Sequence, residues 1–418
     1  MSTSSGSRRR IHIHGQLMLV DAERSKHVTL RRGTVVVDDD KIAEVVVDDQ
    51  PNQFDFGGPD YLIAPGLVDT HLHLPQFDMI GAHGLPLLQW LAEHTFPAEV
   101  KWKDLDYATA MTHRVIDQCF SHGTTTIAAY ATSDAQSARS ALTTARQRGI
   151  AGVIGQVWMD RNGPDALLGD AASFTESTAE AIEDAHPRMN AAITPRFAVS
   201  CTQELLKAAG QLASEKQAII QTHLSETRAE CDLVRELFDG LDYVTVYESA
   251  GLMTDRAILG HGIHLTDPER QRIASLNAHV AHCPTANSFL RSGVMHRHAH
   301  LAANVSICLG SDIGAGYERS MVRVARSMIE AAAIAGGDLP SATHGWWQIT
   351  HGNHAVLFPD RTSGLVAGSD ADVVLIQPDV HWEPSSPSES LSRLMFAWDD
   401  RWVKQTMAAG RIVYPTGA

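Results

Sequence analysis

The sequence predicts an α/β protein: a TIM-like (β/α)8 barrel accompanied by a small composite β-sandwich domain built from both chain ends. Three observations predict it. Eight short apolar runs recur between Pro65 and about residue 360, and most are followed by a stretch with apolar residues at helical spacing. Those runs are almost continuously apolar, as strands buried on both faces are. β-branched runs separated by polar turns lie outside that region, at the two chain ends. A length of 418 residues suits one large barrel with additions.

Taken in order, residues 1–10 (MSTSSGSRRR) lack the apolar segment of a secretory signal and read as a disordered, solvated tail. Residues 11–65 hold IHIHGQLMLV, GTVVVDDD and KIAEVVVDD, which read as strands. The barrel is expected over 66–365. Its strand runs are LIAPGLVDTHLHL, GTTTIAAY, GIAGVIGQVWMD, AAITPRFAVS, AIIQTHLSE, AILGHGIHL, AHVAHCP and NVSICLGSD. Between them, stretches such as DYATAMTHRVIDQCFSHG and TQELLKAAGQLASEK carry the spacing of helices that cover a barrel. From 366 to 418 the β pattern returns in ADVVLIQP, WVKQTMAAG and RIVYP, so 11–65 and 366–418 are expected to share one composite domain.

Composition excludes several classes of function. A net charge of 34 − 49 = −15 disfavours a nucleic-acid or anionic-membrane surface. No apolar run reaches the roughly 18 residues of a membrane span. Five scattered cysteines without a C-x-x-C fit a reducing cytoplasm better than a disulfide framework. H-E-x-x-H, Walker A, G-x-S-x-G and a post-strand G-x-G-x-x-G are all absent. His381-Trp382-Glu383 matches half of an H-x-E…P-C-x-x-C deaminase signature, but the cysteine half is missing.

The chemistry sits at the strand ends. The first barrel run ends His71-Leu72-His73, and residues i and i+2 of a strand point the same way. The fifth ends Gln221-Thr222-His223-Leu224-Ser225-Glu226, the sixth Gly260-His261-Gly262, the seventh Ala281-His282-Cys283-Pro284 and the eighth Gly310-Ser311-Asp312. In such a barrel the carboxyl ends of the strands converge on one face, where catalytic groups sit. A single histidine at a strand end is usually an ordinary satisfied polar residue. Four histidines and a carboxylate, at the ends of separate strands in barrel order, instead suit Zn²⁺ or Fe²⁺ with a position open for water. MHRHAH, at 295–300, follows no strand and reads as a solvated helix or loop.

PGLVDTHLH, HLSE, GHG and GSD occur in the order seen in the amidohydrolase superfamily. HLPQFDMIGAHGLPLLQWLAEHTFPAEVKWKD, MD at 159–160, TPRFAVSC, THLSETRAE, AHCPTANSFLRSG and LGSDIGAGYERSM narrow the resemblance. Over essentially the whole chain they resemble the guanine deaminases, in the mononuclear-metal branch. The resemblance implies a metal held by His71, His73, His223 and Asp312, with His261 alongside. It implies one ion per subunit, Zn²⁺ with Fe²⁺ as the alternative, because AAITPRFAVS lacks the bridging Lys or Glu of two-metal relatives. The implied reaction is hydrolytic deamination of a purine, guanine, to xanthine and ammonia by a metal-activated water. Asp312 would accept that water's proton, Glu226 would protonate the ring, and His261 would hold the oxygen of the intermediate. Gln76 and Arg196 would read the purine, Phe197 and Trp90 would stack on or wall it, and His282 would support the site from behind. A small-molecule partner, no nucleic acid, no membrane, a cytoplasmic location and a homodimer complete the expectation. The alternatives are deamination of 8-oxoguanine, a pterin or another fused amino-heterocycle, or an inactive scaffold, which would be expected to have lost ligands that are all present here. Ala286, Ser311 and Ala315 depart from the usual pattern.

Overall fold

The computed structural model describes residues 10–379 and 386–415. The expected tail at 1–9 and the His381-Trp382-Glu383 triplet therefore lie outside the described residues. By compactness the chain divides into two units. One comprises the chain up to Val68, Cys119–Thr125 and the chain from Ser341 onward; the other comprises Asp69–Gln118 and Thr126–Pro340.

Four strands open the chain: β1 (Ile11–Val20), β2 (Val28–Asp38), β3 (Lys41–Val47) and β4 (Phe56–Pro65). The barrel strands follow: β5 (Leu67–His73), β6 (Thr124–Tyr130), β7 (Ala151–Trp158), β8 (Met189–Pro195), β9 (Ile220–Leu224), β10 (Ala257–His261), β11 (His279–His282) and β12 (Ser306–Leu309). Seven fall within one of the eight apolar runs, and β8 starts two residues before its run, at Met189. The last three are β13 (Val373–Ile376), β14 (Val403–Ala408) and β15 (Arg411–Tyr414).

The first unit carries a seven-stranded sheet in the order β15-β14-β13-β4-β1-β2-β3, so both chain ends share one sheet. β1 and β2 pair antiparallel over ten positions, from Ile11↔Val37 to Val20↔Val28. β4 joins the two ends: it pairs parallel with β1 and antiparallel with β13. Ile13, Leu17, Val35, Ile63, Val373, Leu375 and Met407 form its apolar core. The helices Ala342–Trp347 and Asn353–Leu357, on the barrel side of the expected boundary at 365, group with this unit. Their anchors explain it: buried Trp346 donates to the Leu391 carbonyl at 3.1 Å, and buried Asn353 to the Val68 carbonyl at 2.7 Å.

The second sheet runs β12-β11-β10-β9-β8-β7-β6-β5, strictly in chain order. Neighbours are parallel, as in β7 against β8, which pair from Gly152↔Met189 to Trp158↔Pro195. It closes on itself just beyond β12, where the Asp312 N–H donates to the His71 carbonyl at 2.8 Å and the His73 N–H to the Ile313 carbonyl at 2.5 Å. Every residue of β5, β6 and β10 is buried, which is why their sequences do not alternate. The covering helices start where a short polar side chain follows a strand. Asp134, Thr202, Thr227 and Thr266 each accept a backbone N–H in the first turn of a helix, and the last two form full capping boxes with Glu230 and Glu269. Helix Gln203–Lys216 buries Leu205, Leu206, Ala209, Leu212 and Ala213 on one face. Each fully buried leucine there contributes about 1.5–3 kcal/mol. Among the described residues, no helix is long and apolar enough to cross a membrane.

Candidate active site

At the carboxyl end of the barrel one cluster gathers the strand-end residues. His71 and His73 come from the end of β5, His223 from β9, His261 from the last position of β10, and Asp312 from the turn after β12. One ligand atom from each of His71, His223, His261 and Asp312 falls within a common span of 4.8 Å. His73 belongs with them, because its Nε2 is 3.1 Å from His223 Nε2 and 3.4 Å from Asp312 Oδ1. His71 Nε2 is 3.5 Å from the same oxygen. Ligand atoms about 2.1 Å from a tetrahedral ion lie about 3.4 Å apart, so this spacing is that of a coordination shell.

The hydrogen-bond pattern points the same way. His223 Nδ1–H donates to the Arg196 carbonyl at 2.7 Å, which leaves Nε2 as a lone pair facing His73 Nε2. His71 Nδ1 and Nε2 and His73 Nδ1 are buried without a partner. Burial, and then the neighbouring imidazoles, push His71, His73 and His223 well below the usual histidine range, which favours the neutral form that can bind a metal. Two glycines make room for His71. A Cβ on Gly260 would lie 2.6 Å from His71 Cε1, and one on Gly310 would lie 2.4 Å from His71 Cβ. The donor set thus fits a single Zn²⁺-type or Fe²⁺-type ion.

The titrating groups sit beside this cluster. Glu226 Oε2 is 3.5 Å from His261 Nε2, and Glu226 Oε1 accepts from Ser292 Oγ at 2.6 Å. Burial raises the Glu226 pKa, although His261 and Ser292 oppose it. Burial likewise raises Asp312 to about 6, with His261 and Arg196 pulling the other way. For His261 burial disfavours charge, but Glu226 and Asp312 outweigh it and its pKa is raised. Asn287 Oδ1 accepts from His261 Nδ1 at 2.9 Å, which turns Nε2 toward both carboxylates. Ser225, His261 and Asp312 all have left-handed backbone, with φ of 48°, 71° and 54°. Such conformations cost about 1–3 kcal/mol each and are found where side chains are aimed at a site.

A pocket, partly open to solvent, adjoins the cluster. His73, His223, Glu226, His261 and Asp312 line one part of it, and Gln76, Trp90, Arg196 and Phe197 line the rest. All four expected ring contacts therefore face the cavity. Trp90 is additionally tied down by its Nε1–H to the Ala82 carbonyl at 2.9 Å. His282 is buried at the end of β11 and does not line the cavity; burial, His300 and Arg297 push its pKa down to about 3. The 295–300 segment corrects one expectation. It is the helix Arg297–Ala302, and Arg297 and His300 are buried rather than solvated. His300 Nε2 donates to the Gly262 carbonyl at 2.9 Å and so anchors the turn beside His261.

Several participants lie inside the quoted motifs but are not among the residues singled out from the sequence. Asp69 accepts from the His71 N–H at 3.1 Å and from the Ser311 N–H at 3.0 Å, pinning β5 to the Asp312 turn. Glu230 accepts from the Glu226 N–H at 2.9 Å, and Asn287 and Ser292 orient His261 and Glu226. Glu99 bonds both Gln76 and Arg196. Asp69 was within reach of sequence reading, as the polar residue two places before His71 inside a buried strand.

The fold and this cluster define a metal-dependent hydrolase of the amidohydrolase family, and the chain belongs to that family: its model matches residues 62–413. Within the family the relatives are guanine deaminases. That of Dictyostelium discoideum is 34% identical over 373 residues, covering 85% of this chain and 82% of the relative. That of Escherichia coli K12 is 34% identical over 365 residues, covering 84% and 83%. Among solved structures, guanine deaminase from C. acetobutylicum with bound guanine in the active site aligns with a TM-score of 0.89 at 28% identity, covering 97% of this chain and 100% of the other.

Proposed function

We propose that this protein hydrolyses guanine to xanthine and ammonia. The observation that carries the reading is the set of five metal-ligand-type side chains and Glu226 at one end of a pocket whose other walls present Gln76, Arg196, Phe197 and Trp90. His71, His73, His223 and Asp312 would hold one Zn²⁺ per subunit, with Fe²⁺ as the alternative, and the bound ion would lower the pKa of its water from about 15.7 toward about 7. Asp312, whose Oδ1 lies 3.4–3.5 Å from His73 and His71, takes the proton of the attacking water. Glu226, whose pKa burial raises, protonates the ring nitrogen beside the carbon bearing the amine. His261, held by Asn287 and favoured in its charged form, directs Nε2–H at the oxygen developing on that carbon. Asp312 then passes that proton to the amino group, the C–N bond breaks as ammonia leaves, and the hydroxyl proton returns to Glu226 as the C=O forms. Gln76 and Arg196 hydrogen-bond the purine edge, Phe197 and Trp90 wall the ring, and His282 supports the site from behind. A homodimer is the commonest closed assembly of soluble proteins, and five scattered, buried cysteines suit a reducing cytoplasm.

The test is ammonia release by the metal-loaded protein from guanine, 8-oxoguanine and a pterin. The expected result is the highest kcat/KM on guanine. A higher kcat/KM on either competitor transfers the substrate to that heterocycle, and no ammonia from any of the three refutes the reading.

A further inference from the structure

Glu99 belongs to the short helix Phe96–Val100 in the TFPAE segment and is 2% exposed. Each of its carboxylate oxygens accepts from Arg196 Nη1 at 2.7 Å, and Oε1 also accepts from Gln76 Nε2 at 3.1 Å. A glutamine amide has one donor end and one acceptor end. A flipped amide would set its oxygen 3.1 Å from a carboxylate oxygen, which is repulsive, so the charge on Glu99 fixes the orientation. The other end, Gln76 Oε1, is buried and has no donor among the described residues. Gln76 and Arg196 both line the cavity beside the metal-ligand cluster. A buried amide oxygen without a partner, facing a cavity, is an acceptor kept for something that enters.

We propose that Glu99 is a positioning residue that sets substrate specificity: by holding Gln76 Nε2 and Arg196 Nη1 on one carboxylate, it makes Gln76 an obligate acceptor and fixes it beside Arg196, which can only donate. The two groups are neighbours, so a ligand that satisfies both presents an N–H beside a C=O, a lactam edge. Guanine carries that edge at N1–H and C6=O; here the inference rests on the guanine reading. Adenine offers the reverse arrangement, a ring-nitrogen acceptor beside an amine donor, and leaves both protein groups mispaired.

The test measures kcat and KM for guanine in the wild type, Glu99→Gln, Gln76→Leu and the double variant, together with metal content and Tm. Glutamine at 99 keeps the shape but offers an NH2 group, which frees the Gln76 amide to turn over. Each single variant is expected to raise KM about 10- to 100-fold with metal content retained, because a buried polar group is left mispaired. The double variant is expected to be no more than about 3-fold worse than either single one, since an unoriented Gln76 has little left to lose. Independent, multiplying losses overturn the proposal. A second measurement needs no variant at 99: competitive inhibition of the wild type by hypoxanthine, 1-methylhypoxanthine and adenine. Hypoxanthine, with the lactam edge intact, is expected to bind at least about 10-fold tighter than the other two, and equal inhibition by all three overturns the proposal. A wild type that releases no ammonia from guanine refutes the functional reading instead, which is a different failure from an active enzyme with multiplying losses.

Discussion

Gly260→Ala tests the metal cluster by a single methyl group. Gly260 sits in β10 without a positive φ, so alanine is free to adopt its backbone and the effect is one of space alone. The new Cβ would lie 2.6 Å from His71 Cε1, 3.2 Å from Nδ1 and 3.3 Å from Nε2, whereas ordinary contacts begin near 3.4 Å. His71 is fully buried, so its ring has to shift by roughly 0.8 Å to clear the methyl. Metal–ligand distances tolerate about 0.2 Å, and a misplacement of about 1 Å costs on the order of 100-fold in rate. Overpacking costs about 1–3 kcal/mol, offset by about 0.4–1 kcal/mol from the stiffer unfolded chain. The variant is therefore expected to fold, to melt a few degrees lower, and to lose most of its metal and about 99% of its activity. The assays are metal analysis of the purified protein, ammonia release from guanine and a thermal melt. A variant with full metal content and wild-type kcat/KM would refute the placement of His71 against β10.

Asp312→Ala removes a ligand together with the proton acceptor and is expected to lower kcat/KM by more than about 10³-fold, with reduced metal content on analysis. Arg196→Ala leaves Glu99 buried without its cation, so it is expected to cost about 3–5 kcal/mol in a denaturant titration as well as raising KM for guanine. Burial raises the Glu226 pKa, so its acid form persists above the usual carboxylate range and kcat/KM falls as pH rises through that pKa. Because the Ser292 bond lowers that pKa, Ser292→Ala is expected to move this alkaline limb to higher pH; a shift to lower pH counts against Glu226 as the acid. Stripping the metal with a chelator is expected to abolish ammonia release and lower Tm, and adding Zn²⁺ or Fe²⁺ back restores both.

Much of the barrel and of its catalytic face was legible in the chain because the relevant signals are local. A parallel strand buried on both faces must be apolar throughout, so eight such runs announce eight strands, and a polar residue at the end of one is conspicuous. His71 and His73 read as a pair because a strand repeats every two residues. The sheet shared by the two chain ends was visible as β-branched runs, whereas the grouping of 342–357 with that sheet was not, since it rests on contacts such as Trp346 with Leu391. The His-rich segment misled for the same reason: polar residues in a short helix look solvated until His300 is found bonded to the Gly262 carbonyl.

What the linear chain specified, then, was which side chains reach the mouth of the barrel, because strand periodicity and chain order settle that without reference to anything distant. What folding alone settled was which way those side chains are turned. Glu99 meets Gln76 and Arg196 across 23 and 97 positions, Ser292 meets Glu226 across 66, and Asn287 meets His261 across 26. A hydrogen bond acts over about 3 Å, and its polarity depends on which atoms face each other after the chain has closed. No residue pattern along the chain records that.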